Sequence, residues 1–256
     1  MKYDISIIIP SIRVEKLPAI YMMLEQAVAQ YSFEVIIVGP LVIPGILWDR
    51  ENVRYVKDFG SPSRCVQLGS ALAEGKYMCW MSDDCTYMTP QSLGNCISLL
   101  ETKPNNMWAL TLRYFEGEGA GEFPLDYWRG KHHGDMQKLP GIPETYKIAP
   151  LGMYHTSYFK HMGGLDCRYE HINMCTHDLA FRVQNDGGEI SISPQTVARF
   201  YWSWITADAK PVQRAYFETD NPLFQEMYSQ DQSKRVRIDY NNWMDAPSRW
   251  EKRFGK

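Results

Sequence analysis

The chain opens on "DISIIIP", residues 4–10, an apolar and β-branched run closed by Pro10. Such a run, without the alternation of a half-exposed strand, predicts a strand buried on both faces. Leu17, Ile20, Leu24, Ala27, Val28 and Tyr31 then recur at helical spacing. "FEVIIVGP", residues 33–40, is a second buried run. Strand, helix and strand in this order imply a parallel pair with a crossover. "NVRYVKDFG" predicts a third, shorter strand. Ser61 then stands as an N-cap with Pro62 at the first helical position, Cys65, Leu68 and Leu72 give the stripe, and Gly75 the stop. "KYMCWMS" predicts a fourth strand. Thr89 and Pro90 repeat the helix-start chemistry before Leu93, Ile97 and Leu100, and "NMWALTLRYF" predicts a fifth strand.

Residues 1–115 therefore alternate strand and helix, the pattern of an open, Rossmann-like α/β sheet flanked by helices. Residues 116–145 are rich in Gly, Pro and charge and predict a long loop of functional kind. "YKIAPLGMYHTSYF" returns to the core as an extended segment, "THDLAFRVQND" predicts a short helix, and "GGEISISP" a turn and strand. The domain reading is one domain over 1–204, divided into a half of nucleotide-binding type (1–115) and an elaborated second half (116–204). Residues 205–256 form a C-terminal extension packing on the core; its amphipathic stretch "VQRAYFETDNPLFQEMYSQ" must break or bend at Pro222.

Composition narrows the partners. With 256 residues, 45% of them apolar, the chain can bury a full core. A formal net charge of −3 without runs of like charge gives no nucleic-acid footprint. The six cysteines contain no C-x-x-C pair and read as free thiols. No signal peptide and no membrane-length apolar run is visible, so a soluble, cytoplasmic protein is expected.

The chemistry centres on "SDD" at residues 82–84, directly after the fourth strand. In open α/β sheets ligands bind outside the carboxyl ends of the strands. Two adjacent carboxylates repel unless a cation lies near them. A Mg²⁺ or Mn²⁺ ion held by Asp83 and Asp84 and bridged to a diphosphate resolves that repulsion. The alternative is a solvated turn or cap ahead of the next helix.

"ISIIIPSIR", "FEVIIVGP", "SPSRCVQLGSALAEGKYMCWMSDD" and "MGGLDCRYEHINMCTHDLAFRVQNDGG" resemble the GT-A glycosyltransferases, in particular the family-2-like group. The resemblance implies the GT-A fold, a nucleotide-diphosphate sugar as donor and a divalent cation, Mn²⁺ or Mg²⁺. It implies a glycan, lipid-linked or other hydroxyl acceptor, and inverting chemistry. Pro10 and Ser11 match the end of the family's first strand. The D-x-D metal motif falls on Ser82 and Asp84, which implies Asp84 as ligand and Asp83 on the nucleotide sugar or the metal shell. Where the family carries a base-reading Asp after the second strand, this chain has Gly39 and Pro40, so Asp58 and Arg13 become the candidates for base recognition. Arg64 matches a basic position loosely and faces either a phosphate or solvent.

On the acceptor side, "GGLDCRYE…THDLAFR" resembles the segment that carries the family's general base. The family's "ED" falls on Cys175 and Thr176, which leaves Asp178, with His177 as substitute, as candidate base. Helix-start capping is the competing role for Asp178, and Arg182 is spaced to pair with it. His132, His133 and Asp135 read as solvated loop. Processive members carry Q-x-x-R-W before a membrane span; here Ala246 stands at the Gln position before "SRW", which predicts single addition. Two rivals remain. A nucleotidyltransferase wants a glycine-rich loop that "PSIRVEKLP" lacks. A degenerate GT-A domain would bind nucleotide or glycan without turnover.

Overall fold

The computed structural model describes residues 1–117, 122–123, 146–201, 210–229 and 235–244. It opens as the sequence predicts: β1 (Tyr3–Pro10), α1 (Leu17–Val28), β2 (Phe33–Gly39), β3 (Val53–Lys57), α2 (Pro62–Leu72) and β4 (Gly75–Trp80). There follow β5 (Cys85–Met88), α3 (Ser92–Glu101), β6 (Trp108–Glu116) and β7 (Glu122–Phe123). The second half supplies β8 (Gly152–His155), α4 (Thr156–His161), α5 (Ile172–Asn185) and β9 (Glu189–Phe200), and beyond it lie α6 (Lys210–Ala215) and α7 (Asn221–Ser229).

The strands form one sheet in the order β3-β2-β1-β4-β8-β6-β9-β5, with β7 pairing on β6. β1 is parallel to β2 and β4, β2 to β3, and β6 to β9, whereas β5, β7 and β8 pair antiparallel. Six strands thus run one way, and their carboxyl ends share one edge, which carries Ser11, Gly39, Asp58, Glu116 and Tyr201. The helices that follow β1 and β3, and the one that precedes β9, begin at that same edge. The open, mostly parallel sheet of the sequence reading is present.

Local chemistry explains most boundaries. Ser61 caps α2 by accepting from the Arg64 N–H, with Pro62 at the first position. Ile5, Ile7, Ile8 and Ile9 are buried, as are Val35 to Val38. Glu34, inside β2, is fully buried and receives Ser6 Oγ at 2.6 Å, the Glu74 N–H at 2.7 Å and Arg54 at 3.1 Å. All six cysteines are free and buried. Burial pushes the Cys85 and Cys96 thiols up to about 12, far from reactive thiolates.

Three expectations are corrected. Thr89 and Pro90 do not start α3; the Thr89 N–H donates to Val197 O beside the four-residue strand β5, and Gln91, in the left-handed region at φ 61°, becomes the N-cap. "YKIAPLGMYHTSYF" is extended only to His155 and then turns helical at Thr156. The short helix expected at Thr176 begins four residues earlier, with His171 as N-cap. Pro222 bends its stretch as expected: a π-helical turn, Tyr216–Asp220, absorbs the missing donor between α6 and α7.

The His171 cap carries a pH dependence. Its Nδ1 accepts from the Asn173 N–H at 3.0 Å, which requires the ring nitrogen to be unprotonated. Burial holds its pKa down to about 4, against an ordinary 6.5. Between those values the unfolded chain binds the extra proton, so the stability from this site is present above about 6.5 and lost as pH falls towards 4. His171→Asn keeps a capping acceptor without the titration. It is expected to flatten the pH dependence of the urea midpoint across that window and to leave the midpoint at pH 8 nearly unchanged.

Candidate functional site

Asp83 is buried at the carboxyl edge and is fully engaged. Its Oδ2 accepts the Ile12 and Arg13 N–H groups, each at 2.8 Å, and Ser11 Oγ at 3.2 Å. Its Oδ1 takes Arg13 Nη1 at 2.7 Å. The carboxylate after β4 therefore pins the turn after β1, and the structure brings Pro10, Ser11, Arg13 and Asp83 into one unit. Those bonds make Asp83 the anchor of this edge, with Arg13 as its counter-charge.

Asp84 has different surroundings. It is 6% exposed, and its carbonyl accepts the Tyr201 N–H at 2.9 Å. β9 is flanked by β5 and β6: Phe200 lies opposite both Cys85 and Glu116. Burial, and then the negative charge of Asp84, raise the Glu116 pKa above the ordinary carboxylate value. Glu116 was absent from the sequence-based site. It stands at the seam of a predicted strand and a predicted loop, and only the strand order places it by Asp84. A buried and a partly buried carboxylate that repel each other would suit a hard divalent cation that takes further oxygen ligands from elsewhere. Among the described residues no group of three or more His, Cys, Asp and Glu forms a self-sufficient metal cage.

Asp58 and Arg64 are brought together, at the ends of β3 and α2. Arg64 Nε and Nη2 donate to the Asp58 carboxylate at 3.1 and 3.0 Å. Arg64 also donates to the Trp243 carbonyl and lies 5.4 Å from the Trp243 ring centre. Asp58 additionally receives the Gly60 N–H. Gly39 lies so close to the Ser11 carbonyl that a Cβ would collide with it, so no side chain fits where the resembling family has its Asp.

Asp178 and His177 do not reach this edge as a base would need to. Asp178 is the seventh residue of α5, about 9 Å from its start at 1.5 Å per residue, and both residues are fully buried. Asp178 Oδ2 pairs with Arg182 Nε at 2.8 Å, the spacing read from the sequence. Its Oδ1 takes Tyr228 Oη at 2.9 Å and Arg235 Nη1 at 3.0 Å. Arg235 also binds Asp166 at 2.7 Å. Burial works against the Asp166 charge, yet Arg168 and Arg235 hold its pKa down at about 2. His177 lies among the rings of Tyr146, Phe181 and Phe224. A general base needs an oxygen or nitrogen facing the acceptor; these two side chains face the core. At the α5 start the Asp220 carboxylate accepts the Glu170 and His171 N–H groups at 2.9 and 2.6 Å, and the Glu170 carbonyl accepts from Ser63 Oγ.

The Gly163–Gly164 turn packs against other parts of the chain. Both residues have positive φ, and a Cβ would strike Ile238 O at Gly163 and the Gln67 side chain at Gly164. Gln67 bonds Gly163 O, Tyr240 O and the Leu165 N–H, and Asn242 bonds Leu165 O and the Cys167 N–H. Residues 235–244 thus strap this loop from the C-terminal side, a role without a local sequence signal. His132, His133, Asp135 and the segment Ser248–Trp250 lie outside the described residues. No described helix is long and apolar enough to cross a membrane.

No protein-family model and no curated protein matches the chain. Solved structures do. TarS from S. aureus, residues 1–349, superposes with a TM-score of 0.56 at 13% identity, covering 99% of this chain and 92% of that one. The fold is GT-A. TarS in complex with UDP matches at TM-score 0.56 and 15% identity, over 99% of this chain and 72% of that one. TarS in complex with UDP-GlcNAc matches at 0.53 and 14%, over 97% and 83%.

Proposed function

We propose that this protein is a GT-A glycosyltransferase that moves a sugar from a nucleotide-diphosphate sugar to an acceptor hydroxyl, inverting and adding one sugar at a time. The observation that carries this reading is a GT-A sheet whose carboxyl edge holds Asp83 and Asp84 side by side, Asp83 pinning the turn after β1 and Asp84 near enough to Glu116 for its charge to be felt there. Complexes of TarS with UDP and UDP-GlcNAc make uridine nucleotides the first donors to test.

In this reading Asp84 and Glu116 would hold the divalent cation, which when bound offsets charge on the departing diphosphate. The chain's own residues do the rest. Asp83 fixes the Ser11–Arg13 turn that the nucleotide meets. Asp58 and Arg64, locked to each other, shape the nucleotide end of the cleft. Asp178, Arg182 and Arg235 hold the acceptor-side loop in place.

One observation favours a second reading, a GT-A domain that binds donor without turnover: Thr176 stands at the family's base position, and Asp178 and His177 are buried. Thermal unfolding with UDP and UDP-sugars, with and without Mn²⁺, tests the shared donor site. A ligand at about 100 times its Kd is expected to stabilise by about 2.7 kcal/mol, in a Mn²⁺-dependent manner. The absence of a shift with every nucleotide would refute both readings. Release of free sugar from the stabilising donor separates them, since a binder produces none.

A further inference from the structure

Resting on the donor reading above, we propose that Lys16, held over the ring of Tyr201, binds the donor's diphosphate and stabilises it as it leaves. Lys16 ends the 3-10 turn Val14–Lys16, and its N–H donates to Arg13 O at 3.1 Å. It is therefore attached directly to the turn that Asp83 pins. Its ammonium lies 5.8 Å from the Tyr201 ring centre. The N–H of the same tyrosine donates to Asp84 O at 2.9 Å. One residue thus joins the lysine, through its ring, to the metal-binding carboxylate, through its backbone.

Charge distinguishes Lys16 from its neighbours. Arg13 is engaged with Asp83 and Arg64 with Asp58, whereas Lys16 has an aromatic face as its contact. An ammonium on a ring keeps its full charge for an incoming anion. Restricting its long side chain beforehand reduces the ordering cost of binding. Tyr201 is 51% exposed, so this pair stands at the open side of the edge. In the transfer, the bond from the sugar carbon to the diphosphate oxygen breaks, with its electron pair staying on that oxygen. The acceptor oxygen bonds to the sugar carbon and its proton passes to solvent. In this proposal Lys16 meets the phosphate oxygens that gain negative charge.

The test is equilibrium titration of UDP and UMP, each with Mn²⁺, into wild type, Lys16→Met, Lys16→Arg and Tyr201→Ala. A charge-assisted contact to the second phosphate predicts that Lys16→Met weakens UDP about 10-fold or more and UMP much less. Lys16→Arg is expected to recover most of the loss, and Tyr201→Ala to fall between. The melting temperature without ligand is expected to stay unchanged in all three, which separates positioning from folding. UDP binding to Lys16→Met as tightly as to wild type would overturn the proposal and leave the donor site standing. Wild type that binds neither nucleotide would overturn the donor reading and this proposal with it.

Discussion

Asp178→Ala is expected to destabilise the protein by about 3–5 kcal/mol, the cost of breaking a buried ion pair from one side. Arg182 is fully buried, and its Nε would lose its carboxylate. Its other nitrogens would still hold Met162 O and Gly164 O, each at 2.6 Å, so the uncompensated charge cannot swing out to water. Tyr228 Oη and Arg235 would each lose a partner as well. Against a typical domain stability of 5–15 kcal/mol, this is a large fraction. Urea unfolding measures it directly. Asp178→Asn retains an acceptor for Tyr228 but loses the charge, and is expected to fall between alanine and wild type. If Asp178 were instead the general base, Asp178→Asn would abolish transfer while melting as wild type does. That outcome would defeat the structural assignment.

The contrast shows where the sequence was informative. β1, β2, β4 and β6 are read from apolar runs, because a strand buried on both faces leaves no polar alternation to misplace. α2 is read from Ser61 and Pro62, whose roles are local and were found as expected. The start of α5 was not, because a histidine replaces the usual Ser, Thr, Asp or Asn cap and works only while its Nδ1 is neutral. That four-residue shift moved Asp178 from the first helical turn to the interior of the helix. There the macrodipole no longer accounts for it, and beside the expected Arg182 its charge is met by Arg235, 57 residues downstream. β5 has only four residues, with two exposed between two buried, too little pattern to separate from a turn. Its pairing with β9 decides what stands beside Asp84. Glu116 and Tyr201 enter the site through that strand order, so no local motif could announce them. Motif spacing located the carboxylate pair; tertiary pairing divided its labour.

That division yields the other large effect. Asp83→Ala and Asp84→Ala change the same atoms at adjacent positions and are expected to act in opposite ways. Removing the Asp83 carboxylate leaves the Ile12 and Arg13 N–H groups, Ser11 Oγ and the Arg13 guanidinium without their acceptor. Donors stranded in a part-buried turn beside a charge cost about 3–5 kcal/mol together. The melting temperature should drop sharply, and, on the proposed reading, donor binding should go with it because the turn after β1 is the part the nucleotide would meet. Asp84→Ala instead removes one of two carboxylates that repel each other, since Asp84 raises the Glu116 pKa. A carboxyl group raised in this way stabilises the fold below its ordinary pKa, and that stability is lost as pH rises through the raised value. Deleting Asp84 therefore leaves ligand-free stability at pH 7 unchanged or slightly higher, while the Mn²⁺-dependent shift with UDP disappears. If Asp84 and Glu116 hold the metal as proposed, Mn²⁺ would compete with the proton on Glu116, and its affinity should increase as pH rises through the raised Glu116 value. Melting curves of both variants at pH 7, with and without Mn²⁺ and UDP, give the answer. Equal destabilisation by the two substitutions, or a Mn²⁺-dependent shift surviving in Asp84→Ala, would place the metal elsewhere and return Asp84 to a structural role.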